Sequence, residues 1–281
     1  MSEPQGGILP EPGGAAYFLV LAARDRRAEA RAIAVQLSRV PEVTAELAAS
    51  AGGSALRAVV SFGAELWGEL SPTAKPRELE PFAPLGSGTL SVPATGGDVL
   101  LHVTSDRPDL AFELACRVRS ALGDRVTVLD EVAGFCYLDG RDLTGFIDGT
   151  ENPKGEERAA AALVGDEDAA FAGGSYVIAH RYVHDMARWD ACPTAEQEGI
   201  IGRTKPDSVE LDDEVKPSTA HISRVVIEED GEELQIVRHS FPYGTTAEAV
   251  SSSSPTAARA PPSTRCWRAC TAWAATASTI A

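Results

Sequence analysis

The chain has 281 residues, of which 44% are hydrophobic, so it is long enough for one large domain or two of ordinary size. Its formal net charge of −16 argues against nucleic acid and anionic membranes as partners, because both would repel it. The five cysteines show no CxxC pair, no basic and apolar leader precedes the first apolar run, and no apolar run approaches the roughly 20 residues that span a bilayer. We therefore expect a reducing, cytoplasmic location.

The first half of the chain predicts a ferredoxin-like unit over residues 15–138, which follows a Pro/Gly-rich arm over residues 1–14. Strands are recognised by short apolar or alternating runs, and helices by apolar residues at helical spacing. The predicted elements are a strand over 15–22, a helix from Asp25 to about Val40, strands over 56–62 and 98–103, a helix from Pro108 to Leu122 and a strand over 126–138. This β-α-β-β-α-β order is typical of the split ferredoxin-like fold, an α+β class with antiparallel sheets.

The second half, residues 139–248, repeats this order but stops early. Its predicted elements are a strand over 175–179, short helices over 186–189 and 194–202, and strands over 222–228 and 233–240, the last two joined across an Asp-Gly turn. A further helix and strand should follow in a complete repeat. We therefore predict that the second ferredoxin-like unit is incomplete.

The composition changes abruptly at Ala249, where a run of four serines leads into a segment without acidic residues or regular apolar spacing. A natural disordered tail is one interpretation, but two tryptophans and two cysteines in so short a stretch are unusual for disorder. A coding sequence read out of frame explains the mismatch better. On either interpretation we predict an aberrant, disordered tail over residues 249–281, which leaves the strand that ends at Ser240 without a partner.

The stretch around which the second half is organised is residues 145–153, GFIDGTENP, which sets one carboxylate, Asp148, between two glycines. Gly145 and Gly149 permit positive φ angles, and Pro153 makes the exit of the loop rigid. An isolated Asp-Gly pair is most often an Asx-type turn. The functional alternative is a carboxylate held at the rim of an apolar cavity.

Two further residues are candidates for a chemical site. His221 has apolar neighbours that could seat it against a ligand, although a lone histidine is more often a hydrogen-bonded core residue. No HxxxH or Cys/His cluster indicates zinc, whereas one axial nitrogen suffices for a haem, because the porphyrin supplies the other four ligands. Arg238 shares a strand face with Ile236, so it is either an ion-paired or snorkelling arginine or a fixed positive charge that faces the same cavity as Asp148.

Together these residues resemble the dye-decolourising (DyP-type) haem peroxidase family, whose GxxDG motif matches residues 145–149. The resemblance extends over roughly residues 10–248, and its segments are residues 145–153, 173–176, 184–186, 201–205, 220–221 and 238–244. It implies a duplicated ferredoxin-like fold with one haem b (iron protoporphyrin IX) per chain in the second unit. It also implies reduction of hydrogen peroxide at the expense of dyes, phenols or other one-electron donors.

Residue roles follow from the resemblance alone. His221 would be the proximal ligand of the iron, the metal site of this chain. Asp148 and Arg238, with Ser240 beside them, would act on peroxide at the opposite face, the first two by assisting proton movement and stabilising charge. The resemblance further assigns haem binding to three residues: Arg203, which would pair with a propionate, Gly149 and Glu151.

The family continues past Gly244 with a strand and helix that wall the proximal side of the haem, and this chain departs from that pattern. A haem-binding protein without turnover is therefore an alternative, and a ferredoxin-like ligand-binding module without a cofactor is another. The resemblance leaves open formation of homo-oligomers and association with a protein capsule through a C-terminal tail that some members carry.

Overall fold

The computed structural model describes residues 3–87, 90–226, 228–229, 231–244 and 249–257. These residues form two compact units. Unit 1 comprises the described residues of 1–81, 95–136 and 163–177, and unit 2 those of 82–94, 137–162 and 178–281. The change of unit at residue 136 lies close to the predicted boundary at 138, but each unit also takes one segment from the other half of the sequence.

The described residues among the first 136 form six strands and four α-helices. They are β1 (Ala15–Ala23), α1 (Arg26–Leu37), α2 (Val40–Ser50), β2 (Leu56–Phe62), α3 (Ala64–Leu70), β3 (Leu85–Ser87), β4 (Leu90–Val92), β5 (Val99–Ser105), α4 (Pro108–Leu122) and β6 (Val126–Phe135). In unit 1, β2, β5, β1 and β6 lie side by side in that order and pair antiparallel throughout. This is the strand order of a ferredoxin-like sheet, and it confirms the arrangement predicted for the first half.

Helices α1 and α4 cover one face of this sheet with apolar side chains at helical spacing. Ile33, Leu114 and Leu122 are fully buried in the same core as Leu19 and Leu101 of the central strands. Burial of such side chains contributes on the order of 1.5–3 kcal/mol each before the entropy cost of folding. The core therefore lies between the helices and the face of β1 and β5 that these strand residues share.

The start of α1 is fixed by two carboxylates. Asp25 is the N-cap and accepts a hydrogen bond from the Ala28 amide at 3.0 Å. Asp98, which is 1% exposed, accepts one from the Ala23 amide at 2.8 Å and another from Arg26 Nε at 2.7 Å. A buried carboxylate needs such partners, so Asp98 ties the end of β1 to the first turn of α1.

The second half of the chain contains six strands and four helices among its described residues. They are α5 (Gly155–Ala162), β7 (Tyr176–Val177), β8 (His180–Val183), α6 (Met186–Ala191), α7 (Thr194–Ile201), α8 (His221–Val225), β9 (Glu228–Glu229), β10 (Glu232–Glu233), β11 (Val237–Gly244) and β12 (Ala249–Ala257). In unit 2, β12 pairs antiparallel with β11 on one side and with β8 on the other. Strands β9 and β10 pair as a hairpin, which was predicted at this place in the chain. The strand predicted over residues 233–240 is divided between β10 and β11.

The strand predicted over residues 222–228 is wrong, because residues 221–225 form helix α8. In so short a segment the apolar residues Ile222, Val225 and Val226 suit either state, and alternation alone cannot separate them. None of the helices in the described ranges is long and apolar enough to cross a membrane.

The prediction that the strand ending at Ser240 has no partner is also wrong. Residues 249–257 form β12, and the register pairs Ser240 with Ser253. Antiparallel pairing uses main-chain groups, so it does not require the apolar periodicity that this segment lacks. Residues 258–281, the remainder of the predicted tail, lie outside the described residues.

Candidate active site

Hydrogen bonds between main-chain groups hold the shape of the loop that carries Asp148. The Asp148 amide donates to the Gly140 carbonyl at 3.0 Å, and the Asp142 amide donates to the Phe146 carbonyl at 2.9 Å. The Asp148 side chain is exposed, and its Oδ1 accepts a hydrogen bond from the Gly149 amide at 2.6 Å. This bond comes from the next residue and not from the residue two positions on, as an Asx turn requires, so the Asx-type interpretation is not confirmed. The loop presents the carboxylate at a fixed place.

Both glycines of the motif are required by the geometry of the loop. Gly145 has a φ of +88°, and a Cβ at this position would lie 2.6 Å from Cε of Lys205. Gly149 has a φ of +72°, and a Cβ there would lie 3.2 Å from Nδ2 of Asn152. Any other residue would be strained at either position and would also crowd a neighbour.

The buried side of the loop is held by groups from the rest of unit 2. One Arg141 guanidinium nitrogen donates to the Gly145 carbonyl at 2.8 Å and to the Lys205 carbonyl at 2.7 Å. Trp189 Nε1 donates to the Thr144 carbonyl at 2.9 Å. Sequence reasoning did not identify Arg141 or Trp189, and both act here as supports of the loop.

Asn152 joins the Asp148 loop to strand β11. Its Nδ2 donates to the Arg238 carbonyl at 2.8 Å, and its Oδ1 accepts from the Arg238 amide at 2.9 Å. The two residues that were predicted to act together, Asp148 and Arg238, are therefore connected through one side-chain amide.

Strand β11 presents its residues alternately. Val237, His239 and Phe241 are buried, whereas Arg238 and Ser240 are half-buried on the other face, as the predicted pairing of these two polar residues requires. Behind them, His239 Nε2 lies 3.2 Å from a guanidinium nitrogen of the buried Arg158 in α5.

His221 is the first residue of α8 and is half-buried between two buried residues, Ala220 and Ile222. Burial, followed by the positive charge of Arg238, lowers the pKa of its imidazole from 6.5 to about 4, although the negative charge of Asp148 acts in the opposite direction. The imidazole is therefore neutral at neutral pH. The dependence on Arg238 and Asp148 indicates that these three side chains lie within electrostatic reach of one another.

Two other histidines share this environment. Burial and, to a smaller extent, the positive charge of Arg238 together lower the pKa of His180 to about 3. Burial also lowers the pKa of His184, whereas burial raises the pKa of the Asp142 carboxyl and the negative charge of Asp148 raises it further. Charged and titratable groups of unit 2 thus converge on one region around Asp148 and Arg238.

The chemistry of this region fits a haem. A neutral imidazole is the state in which histidine binds iron, and His221 supplies one. Within the described part of the chain, no group of three or more His, Cys, Asp or Glu side chains could hold a metal ion by itself. A single protein nitrogen is sufficient to hold an iron porphyrin, because the macrocycle provides the other four nitrogen ligands.

Arg203 and Glu151, both predicted to bind haem, form an ion pair with each other. Arg203 forms an ion pair with Glu151, lies 3.8 Å from a Glu210 oxygen, and donates to the Ser208 carbonyl at 2.6 Å. Its guanidinium therefore already has anionic protein partners. Pairing of Arg203 with a propionate remains an untested prediction, and it would compete with these contacts.

Two family models match this chain. The model described as "Dyp-type peroxidase, N-terminal" matches residues 5–136, and "Dyp-type peroxidase, C-terminal" matches residues 139–253. The chain is 48% identical over 190 residues to a protein named dye-decolorizing peroxidase from Mycobacterium tuberculosis, and this alignment covers 67% of the chain and 57% of that protein. The chain thus spans less than two thirds of the length of this relative.

Solved structures share the fold. A variant of DypB from Rhodococcus jostii RHA1, determined in complex with heme, has a TM-score of 0.87 and 42% identity, with 94% of this chain and 86% of that chain covered. The encapsulated DyP-type peroxidase from Mycobacterium smegmatis has a TM-score of 0.89 and 37% identity, with 95% and 86% covered. These likenesses confirm the predicted α+β, ferredoxin-like fold class.

Proposed function

Because the chain belongs to the Dyp-type peroxidase family, we propose that it is a haem-dependent peroxidase that reduces hydrogen peroxide with electrons from dyes, phenols or other small donors. The observation that carries this proposal is the connection of Asp148 to Arg238 through Asn152, within electrostatic reach of a neutral His221. The relative solved in complex with heme supports haem b as the cofactor.

In this proposal His221 holds the cofactor, and haem b supplies the redox chemistry when bound. The pKa of about 4 leaves the imidazole free of a competing proton at neutral pH, which favours binding of iron. Because the two neighbours of His221 are buried, the start of α8 is fixed in the core of unit 2. The ligand would therefore be held in place before the cofactor arrives.

Asp148 and Arg238 act on peroxide. The Gly149 amide occupies Oδ1 of Asp148, so Oδ2 remains to take a proton from one peroxide oxygen and return it to the other. The Arg238 guanidinium is a fixed positive charge that stabilises the negative charge developing on the departing oxygen. Ser240, on the same face of β11, adds a hydroxyl that can orient peroxide or water.

Partners and location are also proposals. Hydrogen peroxide and small one-electron donors are the substrates expected for this site, and the encapsulated relative supports a protein capsule as a partner. Three cysteines in the described ranges, Cys116, Cys136 and Cys192, are free thiols, which supports a reducing compartment such as the cytoplasm.

The test replaces the two groups separately. Asp148→Asn and Arg238→Leu should each keep the Soret band of bound haem, and at least one should slow the reaction with peroxide about a hundredfold, the usual scale for loss of a positioned acid–base or electrostatic group. Stopped-flow mixing with peroxide measures this rate. Thr150→Ala, an exposed change in the same loop, is the matched control and should react as the wild type does. Unchanged rates in both variants would remove Asp148 and Arg238 from the reaction.

A further inference from the structure

We propose that Asn152 is a positioning residue of the peroxide site, which sets the Asp148 carboxylate and the Arg238 guanidinium at a fixed separation. Asn152 is the only asparagine in the 281-residue chain. The inference rests on the proposed roles of Asp148 and Arg238 and adds to them a residue that need not touch peroxide or haem.

The first argument is the form of the contact. Asn152 uses both ends of its amide on the two main-chain groups of one residue, with Nδ2 on the Arg238 carbonyl at 2.8 Å and Oδ1 on the Arg238 amide at 2.9 Å. Two hydrogen bonds fix both the distance and the orientation of a partner, whereas one leaves it free to pivot. The contact joins residues 86 positions apart, so it is tertiary and not part of a local turn.

The second argument is what lies on the loop side of the amide. The main-chain amide of Asn152 donates to the Gly149 carbonyl at 3.0 Å. The side-chain Nδ2 of Asn152 also lies close to Gly149, since a Cβ added at Gly149 would be 3.2 Å from it. The Gly149 amide in turn donates to Oδ1 of Asp148 at 2.6 Å. Contacts therefore run without a gap from the Asp148 carboxylate through Gly149 and Asn152 to the main chain of Arg238.

The third argument is that no similar side chain can replace this amide. Aspartate keeps the acceptor but loses the donor, and it sets a carboxylate oxygen against the Arg238 carbonyl. Glutamine has the same groups on a side chain one methylene longer, so both bonds cannot form without movement of the loop. Alanine removes both bonds. The aspartate variant thus tests the loss of the donor, the glutamine variant tests the length of the side chain, and the alanine variant tests the loss of both hydrogen bonds.

The first measurement does not depend on activity. In the full chain with bound haem, residue-resolved hydrogen exchange should show faster exchange of the Arg238 amide in Asn152→Ala, because its acceptor has gone. The Thr150→Ala control should exchange as the wild type does. An Arg238 amide equally protected in wild type and Asn152→Ala would overturn the proposal, whatever the kinetics show.

The second measurement tests positioning against a purely structural role. Asn152→Ala should keep the Soret band and the separately measured rate at which a dye donor reduces the peroxide-oxidised enzyme, yet slow the reaction with peroxide at least about tenfold, since a displacement of about 1 Å can cost that much or more. Asn152→Asp and Asn152→Gln should also be slow. Loss of haem and a slower donor reaction together with the slower peroxide reaction would indicate general damage to unit 2 and would contradict the proposal.

The third measurement is a double-mutant cycle. If Asn152 acts by placing Asp148 against Arg238, Asn152→Ala should slow the reaction much less in the Asp148→Asn background than in the wild type. Additive losses would overturn the proposal while leaving the roles of Asp148 and Arg238 intact. If Asp148→Asn and Arg238→Leu both react normally with peroxide, the proposed function fails, and the positioning role of Asn152 fails with it. Hydrogen exchange at the Arg238 amide would in that case still show whether Asn152 binds it.

Discussion

His239 should make unit 2 less stable in acid. Its side chain is 1% exposed and lies against the buried guanidinium of Arg158, and burial followed by that positive charge lowers its pKa from 6.5 to about 4. Between these two values the unfolded chain binds a proton that the folded chain does not. The contribution of His239 is therefore complete above pH 6.5 and is lost as the pH falls toward 4.

The magnitude follows from the difference between the two pKa values. At about 1.4 kcal/mol for each pKa unit, the full loss is about 3 kcal/mol, of which about 2 kcal/mol has been lost near pH 5. No discount for solvent screening applies, because the imidazole is buried. His239→Gln removes the titration but keeps an amide oxygen that can accept from Arg158.

Urea denaturation, followed by circular dichroism near pH 8 and near pH 5, measures this effect. The loss of unfolding free energy between the two pH values should be about 2 kcal/mol smaller in His239→Gln than in the wild type. The exposed change Gln235→Ala should retain the wild-type dependence. Identical pH dependence in wild type and His239→Gln would refute the reasoning, because it would mean that His239 has a similar pKa in the folded and unfolded chains.

Two further predictions concern the site and its loop. His221→Ala should abolish the Soret band of a five-coordinate haem, because no other residue is assigned to the iron, and retention of a normal spectrum would show that His221 is not the ligand. Gly145→Ala should lower the unfolding free energy by about 1–3 kcal/mol, because its φ is +88° and the new methyl would meet Lys205. A Gly145→Ala chain as stable as the wild type in urea denaturation would mean that the loop can relax at no cost.

The sequence predicted the elements of unit 1 where local signals were strong. Asp25 was expected to cap a helix and does so. Five apolar residues of α4 are buried as their helical spacing predicts, whereas Phe112, expected on the same face, is 53% exposed; the five are Leu110, Leu114, Ala115, Val118 and Leu122. Helix α2 was missed because Pro41 reads as the end of the preceding helix. In the structure it occupies the first turn of a new one, where its missing amide hydrogen is not needed.

The site was predictable to the extent that it depends on recognisable residue types. Asp148 between two glycines, a lone His221 and a strand arginine are all visible in the sequence, and their roles remain predictions. The two hydrogen bonds between Asn152 and Arg238 could not be predicted from the sequence. A side chain that binds the main chain of a residue 86 positions away produces no periodic pattern and no local motif in the sequence. Arg141 escaped notice for the same reason, because its partners are carbonyl groups.

The position of β12 between β8 and β11 has a consequence for the order of synthesis. The central strand of this sheet is made after both of its neighbours, so β8 and β11 cannot be joined until residues 249–257 have left the ribosome. By contrast, all four strands of the sheet in unit 1 are available once residue 135 has emerged. β12 ends 13 residues after β11, so at a synthesis rate of about 5–20 residues per second β11 waits about 0.7–2.6 s for its partner. Until then its main-chain edge is open to other chains. Expression at a slower translation rate would lengthen that interval for unit 2 and leave the sheet of unit 1 unaffected.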